Sequence, residues 1–264
     1  MNSLTQIEWP DVHALGMRRD CVPIYMFIGG SQLHGAKLEG TDDTDWCGVF
    51  IEAPELLIGL DRNEHFVYST SSQDRKNDSS DLDVTLYSLR RWAELACKGN
   101  PSVLHFLFAP TLRAHLIWHK LLMNRELFLA RNHAKQFIGF AHAQMHKLWN
   151  KQPRDVRRVD LEEKYGFDTK YAMHIIRLYQ ECIEYLTTGF ITLPRPNAPE
   201  LIGIRKGERS LENLHQLAEE LEAECVRLET TSSLRLKPDR AGISRLLVGL
   251  YKDFWNNNWP SSLE

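Results

Sequence analysis

Strand-forming signals nearly vanish from this chain after Leu112, and that asymmetry limits its possible folds more than any other feature. Before that point, short apolar and β-branched runs alternate with turn residues. "VPIYMFIGG" (Val22 to Gly30) reads as a buried strand ending in two glycines, and "DWCGVFIE" (Asp45 to Glu52) as a second strand. "LIGLD" (Leu57 to Asp61) reads as a short third strand and "DVTLYSL" (Asp83 to Leu89) as a fourth. The polar stretch from Ser69 to Asp81 reads as a loop. "LRRWAELACKG" has helical spacing and stops at Gly99, and Asn100-Pro101 opens the next helical turn.

Further on, residues 117–149 and 168–188 carry helical periodicity. "SLENLHQLAEELEAECVRLE" adds apolar residues at Leu211, Leu214, Leu217, Leu221 and Cys225, and "ISRLLVGLYKDFWN" forms a last helix. The fold class expected is α+β: a small mixed sheet with flanking helices, then a helical region. The division falls near Pro110, giving residues 1–111 and 112–264, with a core shared between them because the chain is short.

Composition removes several function classes. The formal charge of −3 offers no global attraction to nucleic acid or membrane, and no apolar run reaches bilayer length. The five cysteines are scattered and form no CxxC pair, which fits neither a zinc ribbon nor a disulfide framework. A reduced, cytoplasmic setting is expected.

The chemistry concentrates in one stretch. A strand ends at Gly29-Gly30, and Ser31 follows. Glycines let the backbone approach a ligand closely, and a helix starting there would turn its free N–H groups toward phosphate. About a dozen residues later come Asp43 and Asp45, which share one face of a strand. Side-by-side carboxylates repel unless a cation lies between them, and hard oxygen donors suit Mg²⁺ together with substrate phosphates. Asp83 opens a later strand and is the candidate third carboxylate, with Asp81 as its rival. A lone Gly-Ser or Asp-x-Asp is usually a turn or a capped loop. The ordered combination is more specific.

In these residues the chain resembles the nucleotidyltransferase superfamily that includes DNA polymerase beta. Gly30, Ser31, Asp43, Asp45 and Asp83 match that pattern in order. It is similar, more closely, to a bacterial and phage group of predicted nucleotidyltransferases, through "GSQLHG", "DTDWCGVF", "DVTLYSLRRWAELACKGNPSVLHFLFAP" and "GFDTKYAMHIIRLYQECIEYLTTGFITLPRP". One departure is Trp46-Cys47, where the group often has Leu-Arg.

The resemblance implies a metal-dependent enzyme that moves a nucleoside monophosphate from an NTP to an acceptor and releases pyrophosphate. Asp43, Asp45 and Asp83 would hold two ions, Mg²⁺ or Mn²⁺, and Gly30 and Ser31 would hold the phosphates. It also implies that Lys170, His174 and Arg177 line a cationic stripe toward the triphosphate or acceptor. Spacing alone makes that stripe a solvated helix face with Arg177 and Glu181 as an i,i+4 pair. The acceptor stays open among an RNA end, a protein hydroxyl and a small molecule. The rival readings are a non-catalytic nucleotide sensor or antitoxin-like partner on the same fold, and a two-metal phosphodiesterase. Lys151, Arg154, Arg157 and Arg158 form a basic stretch, but the acidic run that follows favours a solvated loop. His133, His142 and His146 are expected on one helix, with a surface or core role.

Overall fold

The structure is a computed structural model that describes residues 8–38, 42–70, 81–111, 113–149 and 159–258. The expected loop tip at 71–80 and the basic residues Lys151, Arg154, Arg157 and Arg158 lie outside the described residues. Strand β1 (Cys21–Ile28) runs into a single helical turn, α1 (Gly30–Leu33), and the chain returns as β2 (Thr44–Glu52). After α2 (Pro54–Ile58) come β3 (His65–Ser69) and β4 (Leu82–Ser88). The sheet order is β1-β2-β4-β3; β1 and β3 are antiparallel to their neighbours, and β2 lies parallel to β4. The helices that follow are α3 (Leu89–Cys97), α4 (Pro101–Leu104), α5 (Leu116–Leu122), α6 (Ala134–Trp149) and α7 (Val159–Tyr165). The last four are α8 (Thr169–Thr188), α9 (Ala198–Arg205), α10 (Leu211–Thr231) and α11 (Arg240–Asn258). The α+β class and the mixed sheet agree with the sequence.

Three local expectations are corrected. Leu57–Asp61 is not a strand: Pro54 starts α2 at a position where a missing N–H costs nothing, and Gly59 caps it. The third strand is His65–Ser69, whose side chains stay exposed or half-buried, so it carries little apolar signal. Residues 117–149 are not one helix either. The Asn124 side chain donates to the Lys120 carbonyl at the end of α5, and two 3₁₀ turns, Arg125–Leu127 and Arg131–His133, precede α6. His133 therefore sits before α6 and buries its ring against Tyr185, Nδ1 lying 3.0 Å from the phenol oxygen.

The two faces of the sheet have different surroundings. Met26, Trp46, Phe50, Val84 and Leu86 pack with Val12 and Met17 on one face. Tyr25, Phe27, Val49 and Ile51 point the other way, into a core built with Trp92, Phe106, Trp118, Phe128, Tyr179 and Leu186. Tyr25 stacks on Trp118 with centroids 4.6 Å apart. Buried aromatics of this size each contribute roughly 1.5–3 kcal/mol, so this core joins the strands to the helices across position 111. Helix α8 forms its spine. Asp168 caps it by accepting from the N–H groups of Lys170 and Tyr171, and Gly189 ends it in the left-handed region at φ +70°. Among the described residues no helix is long and apolar enough to cross a membrane.

Candidate active site

The end of β1 is locked to the start of β2. The Gly29 N–H donates to the Asp45 carbonyl at 2.7 Å. Gly30 adopts φ +56°, and a Cβ there would fall 1.8 Å from Asp45 Oδ2. Glycine is therefore required twice over, for its backbone conformation and for the room it leaves the carboxylate. Parallel pairing sets Asp45 directly beside Asp83, and Asp43 lies just ahead of β2. One carboxylate oxygen from each of Asp43, Asp45 and Asp83 lies within 4.8 Å of the other two.

These three side chains are half-buried. Burial, then the charges of Asp43 and Asp83, push Asp45 up to about 6, with Lys170 opposing. Such an oxygen-only set fits a hard divalent ion. Ser69 donates its hydroxyl to Asp83. Asp81 is not part of this cluster. It is 2% exposed, accepts from the Thr70 hydroxyl, and gives its carbonyl to the Thr44 N–H.

The remaining predicted residues divide. Ser31 is beside the turn, and its hydroxyl donates to Asp42 Oδ2 at 3.0 Å. Lys170 stands at the start of α8, with Nζ 3.9 Å from Asp42 Oδ1, and its charge reaches Asp45. His174 Nδ1 lies 3.5 Å from Arg177 Nη2. Arg177 itself is turned inward: its residue is 8% exposed and Nη1 donates to both Glu181 oxygens at 2.9 Å. The solvated stripe expected from spacing is therefore corrected at Arg177 and Glu181, which are buried where α8 meets His34 and His105.

Two groups escaped the sequence reading. Asp42, next to Asp43, is buried and accepts two bonds from Arg205, at 2.6 and 2.8 Å, plus the Leu38 N–H. Burial alone would raise its pKa, but Arg205, the Leu38 amide and Lys170 hold it near 2. Arg205 also donates to the Ala36 carbonyl, so the end of α9 grips the loop that joins the glycine turn to the carboxylates. The second group is His34, His105 and Glu181. His105 Nε2 lies 3.0 Å from one Glu181 oxygen and His34 Nδ1 3.1 Å from the other. Burial first, then the Arg177 charge, lower His34 to about 3. Three aspartates within four positions, Asp42, Asp43 and Asp45, gave no sign of which one turns inward. Nothing local joins Arg205 to Asp42, 163 residues away.

Against known proteins, a family model described as the RNA repair pathway DNA polymerase beta family matches residues 3–248. An uncharacterized 38.9 kDa protein of Enterobacteria phage T4, from the nrdC-mobD intergenic region, is 30% identical over 131 residues. That match covers 47% of this chain and 38% of the phage protein, so the chain spans well under half of that relative. No solved structure matches.

Proposed function

The chain belongs to the RNA repair pathway DNA polymerase beta family, and from that premise we propose that it is a divalent-metal-dependent nucleotidyltransferase acting on an NTP. The observation that carries this reading is the convergence of Asp43, Asp45 and Asp83, with oxygens within 4.8 Å, beside a glycine turn that has no room for a side chain. The donor set fits Mg²⁺ or Mn²⁺, and three carboxylates suffice for two ions that share ligands. When bound, such ions supply positive charge that favours an ionised acceptor hydroxyl and steadies departing pyrophosphate.

The chain's own residues do the rest. Asp43 and Asp45 hold the ions, and Asp83 also takes the acceptor's proton. The backbone N–H groups at Gly30 and Ser31 face the β- and γ-phosphates, and Lys170 adds charge from α8. The acceptor oxygen attacks the α-phosphorus, the bond to the β-phosphate oxygen breaks, and pyrophosphate leaves. Arg177 and Arg205 act behind the site by fixing α8 and the Asp42 loop.

Melting temperature against each of the four NTPs, with and without Mg²⁺, tests this. A ligand that binds only the folded state must raise it. The expected result is a Mg²⁺-dependent rise with at least one NTP that is lost in Asp43→Ala/Asp45→Ala. No rise with any NTP would remove the reading. Incubation with labelled NTP then separates transfer, with pyrophosphate released, from binding without turnover and from hydrolysis.

A further inference from the structure

Strands β2 and β4 begin near the aspartates and end at α2 and α3. At that opposite end, α2, α3 and α11 enclose a cavity of about 500 Å³. Pockets that hold small ligands measure roughly 300–1,000 Å³ and are mostly apolar, with a few polar or charged groups. Spacings of three and four residues put Ala93 and Cys97 of α3 on one wall, and Ile243, Leu247 and Tyr251 of α11 on the other. Ala93, Ile243 and Tyr251 are buried and form the floor. Leu57, Ile58 and Trp255 line the end beside α2. Ile58 is 77% exposed and Val248, on the lip, 55%, so apolar surface continues out of the cavity.

Charge is unevenly answered around this cavity. Arg90 and Glu94 of α3 pair with each other, and Arg91 shares the same carboxylate. Glu52, buried behind Tyr251 and accepting its hydroxyl, also meets the Arg90 charge. Two cations of α11, Arg240 and Lys252, line the opposite lip. Among the described residues neither makes an ion pair. The carboxylates next to them in sequence are engaged elsewhere. Asp239 accepts the Gly242 N–H and lies 3.7 Å from Arg235, and Asp253 accepts from Lys120 at 2.5 Å. Burial raises the Cys97 thiol pKa and the Arg240 charge opposes it, so the guanidinium stands at the Cys97 end.

We propose that this cavity binds a free acyl carboxylate of medium chain length, with its tail between α3 and α11 and its head on Arg240. An apolar floor with an unanswered guanidinium at one end complements a molecule with an apolar body and one anionic head. The planar guanidinium matches a carboxylate through two parallel hydrogen bonds. A wholly apolar ligand would leave Arg240 unused. A nucleotide would press its phosphates against Leu57, Ile58 and Trp255. From Arg240 to Trp255, α11 advances fifteen residues, about 22 Å, which gives the tail a path away from the head. The inference stands apart from the nucleotidyltransferase reading, because none of these residues belongs to the proposed centre.

The test is isothermal titration calorimetry of the full chain with sodium decanoate, kept below the concentration at which it self-associates, beside octanoate and decan-1-ol. One decanoate should bind per chain. Octanoate, two methylenes shorter, should bind about tenfold more weakly. The variants are Arg240→Glu and Ser244→Trp, both at exposed positions of α11 where substitution leaves the unliganded melting temperature little changed. Arg240→Glu should weaken decanoate at least tenfold and decan-1-ol hardly at all. Ser244→Trp, which fills the mouth of the cavity, should weaken both. Absence of saturable decanoate binding, or binding that either variant leaves unchanged, overturns the proposal. So does equal affinity of the wild type for decanoate and decan-1-ol, which would mean that Arg240 recognises no head group. Sedimentation velocity covers the rival occupant: a dimer that Ser244→Trp dissolves would assign the cavity to a second copy of the chain and overturn the proposal as well.

Discussion

Two clusters in this protein have the same size and spacing and opposite electrostatic character. Asp43, Asp45 and Asp83 bring three oxygens within 4.8 Å on a half-exposed face; His34, His105 and Glu181 bring three donors equally close in a fully buried one. The buried cluster is closed by its own cation. Arg177 bonds both oxygens of Glu181, and despite complete burial, which by itself would raise it, the Glu181 pKa is held well below the usual carboxylate range by Arg177, His105 and His34. In the aspartate cluster, burial and the charges of Asp43 and Asp83 outweigh the opposing charge of Lys170, and Asp45 rises to about 6. Proximity of ligand atoms is therefore a poor sign of a metal site by itself. What separates the two is whether the protein already supplies the balancing charge.

The largest effect should come from opening the closed cluster. Arg177→Ala leaves Glu181 as an uncompensated buried charge and should cost about 3–5 kcal/mol in denaturant unfolding. The double variant Arg177→Met/Glu181→Leu, which removes both charges, should recover most of that loss. If the single and double variants are equally unstable, packing rather than charge closure holds this region.

Acid should distinguish the clusters next. His34 is held near 3 in the folded protein against about 6.5 in an unfolded chain. Its folded pKa is depressed, so only the unfolded state binds the proton as pH falls below about 6.5. The stability that neutral His34 contributes is present above that value and is lost progressively toward pH 3, at up to about 1.4 kcal/mol per pH unit. His133, held at about 4 by burial, adds to the slope in the same direction. Unfolding free energy measured from pH 7 to 5 should fall, and His34→Gln should flatten part of the fall. An unchanged slope in that variant would mean His34 does not remain neutral.

The smallest effect carries the opposite sign. In EDTA, Asp45→Asn removes a repelling carboxylate and should leave the protein as stable or more stable, by on the order of 1 kcal/mol. Adding Mg²⁺ should stabilise the wild type and do little for the variant. Loss of stability in EDTA would mean that Asp45 is balanced in the free protein, as Glu181 is.

The sequence was informative where the physics is local. The apolar run, the two glycines and the spacing of Asp43 and Asp45 are all read within thirty residues; Asp43 falls just outside β2 rather than on it, yet its carboxylate still lies close to that of Asp45. The helical periodicity of 168–188, which became α8, was legible for the same reason. Asp42 and Arg205 were not, because their pairing depends on how α9 packs against a loop far away in the chain. Arg177 and Glu181 looked like a surface pair because i,i+4 spacing is the same whether a helix face meets water or another element. Strand β3 was passed over because an edge strand with exposed side chains shows almost no hydrophobic pattern.

The grip of Arg205 on Asp42 and Ala36 bears on how such a chain can be inherited. Every carboxylate of the proposed centre lies in the first third of the sequence, which suggests a portable module that could be traded between genes by a cut after residue 111. Cutting there would strand Asp42 as a buried anion, release the loop that aims Asp43, and part Tyr25 from Trp118. A descendant that kept the carboxylates would need to keep the α9 arginine as well. The two ends of the chain are thus bound to a common evolutionary fate, and recombination between them should be rare among its living relatives.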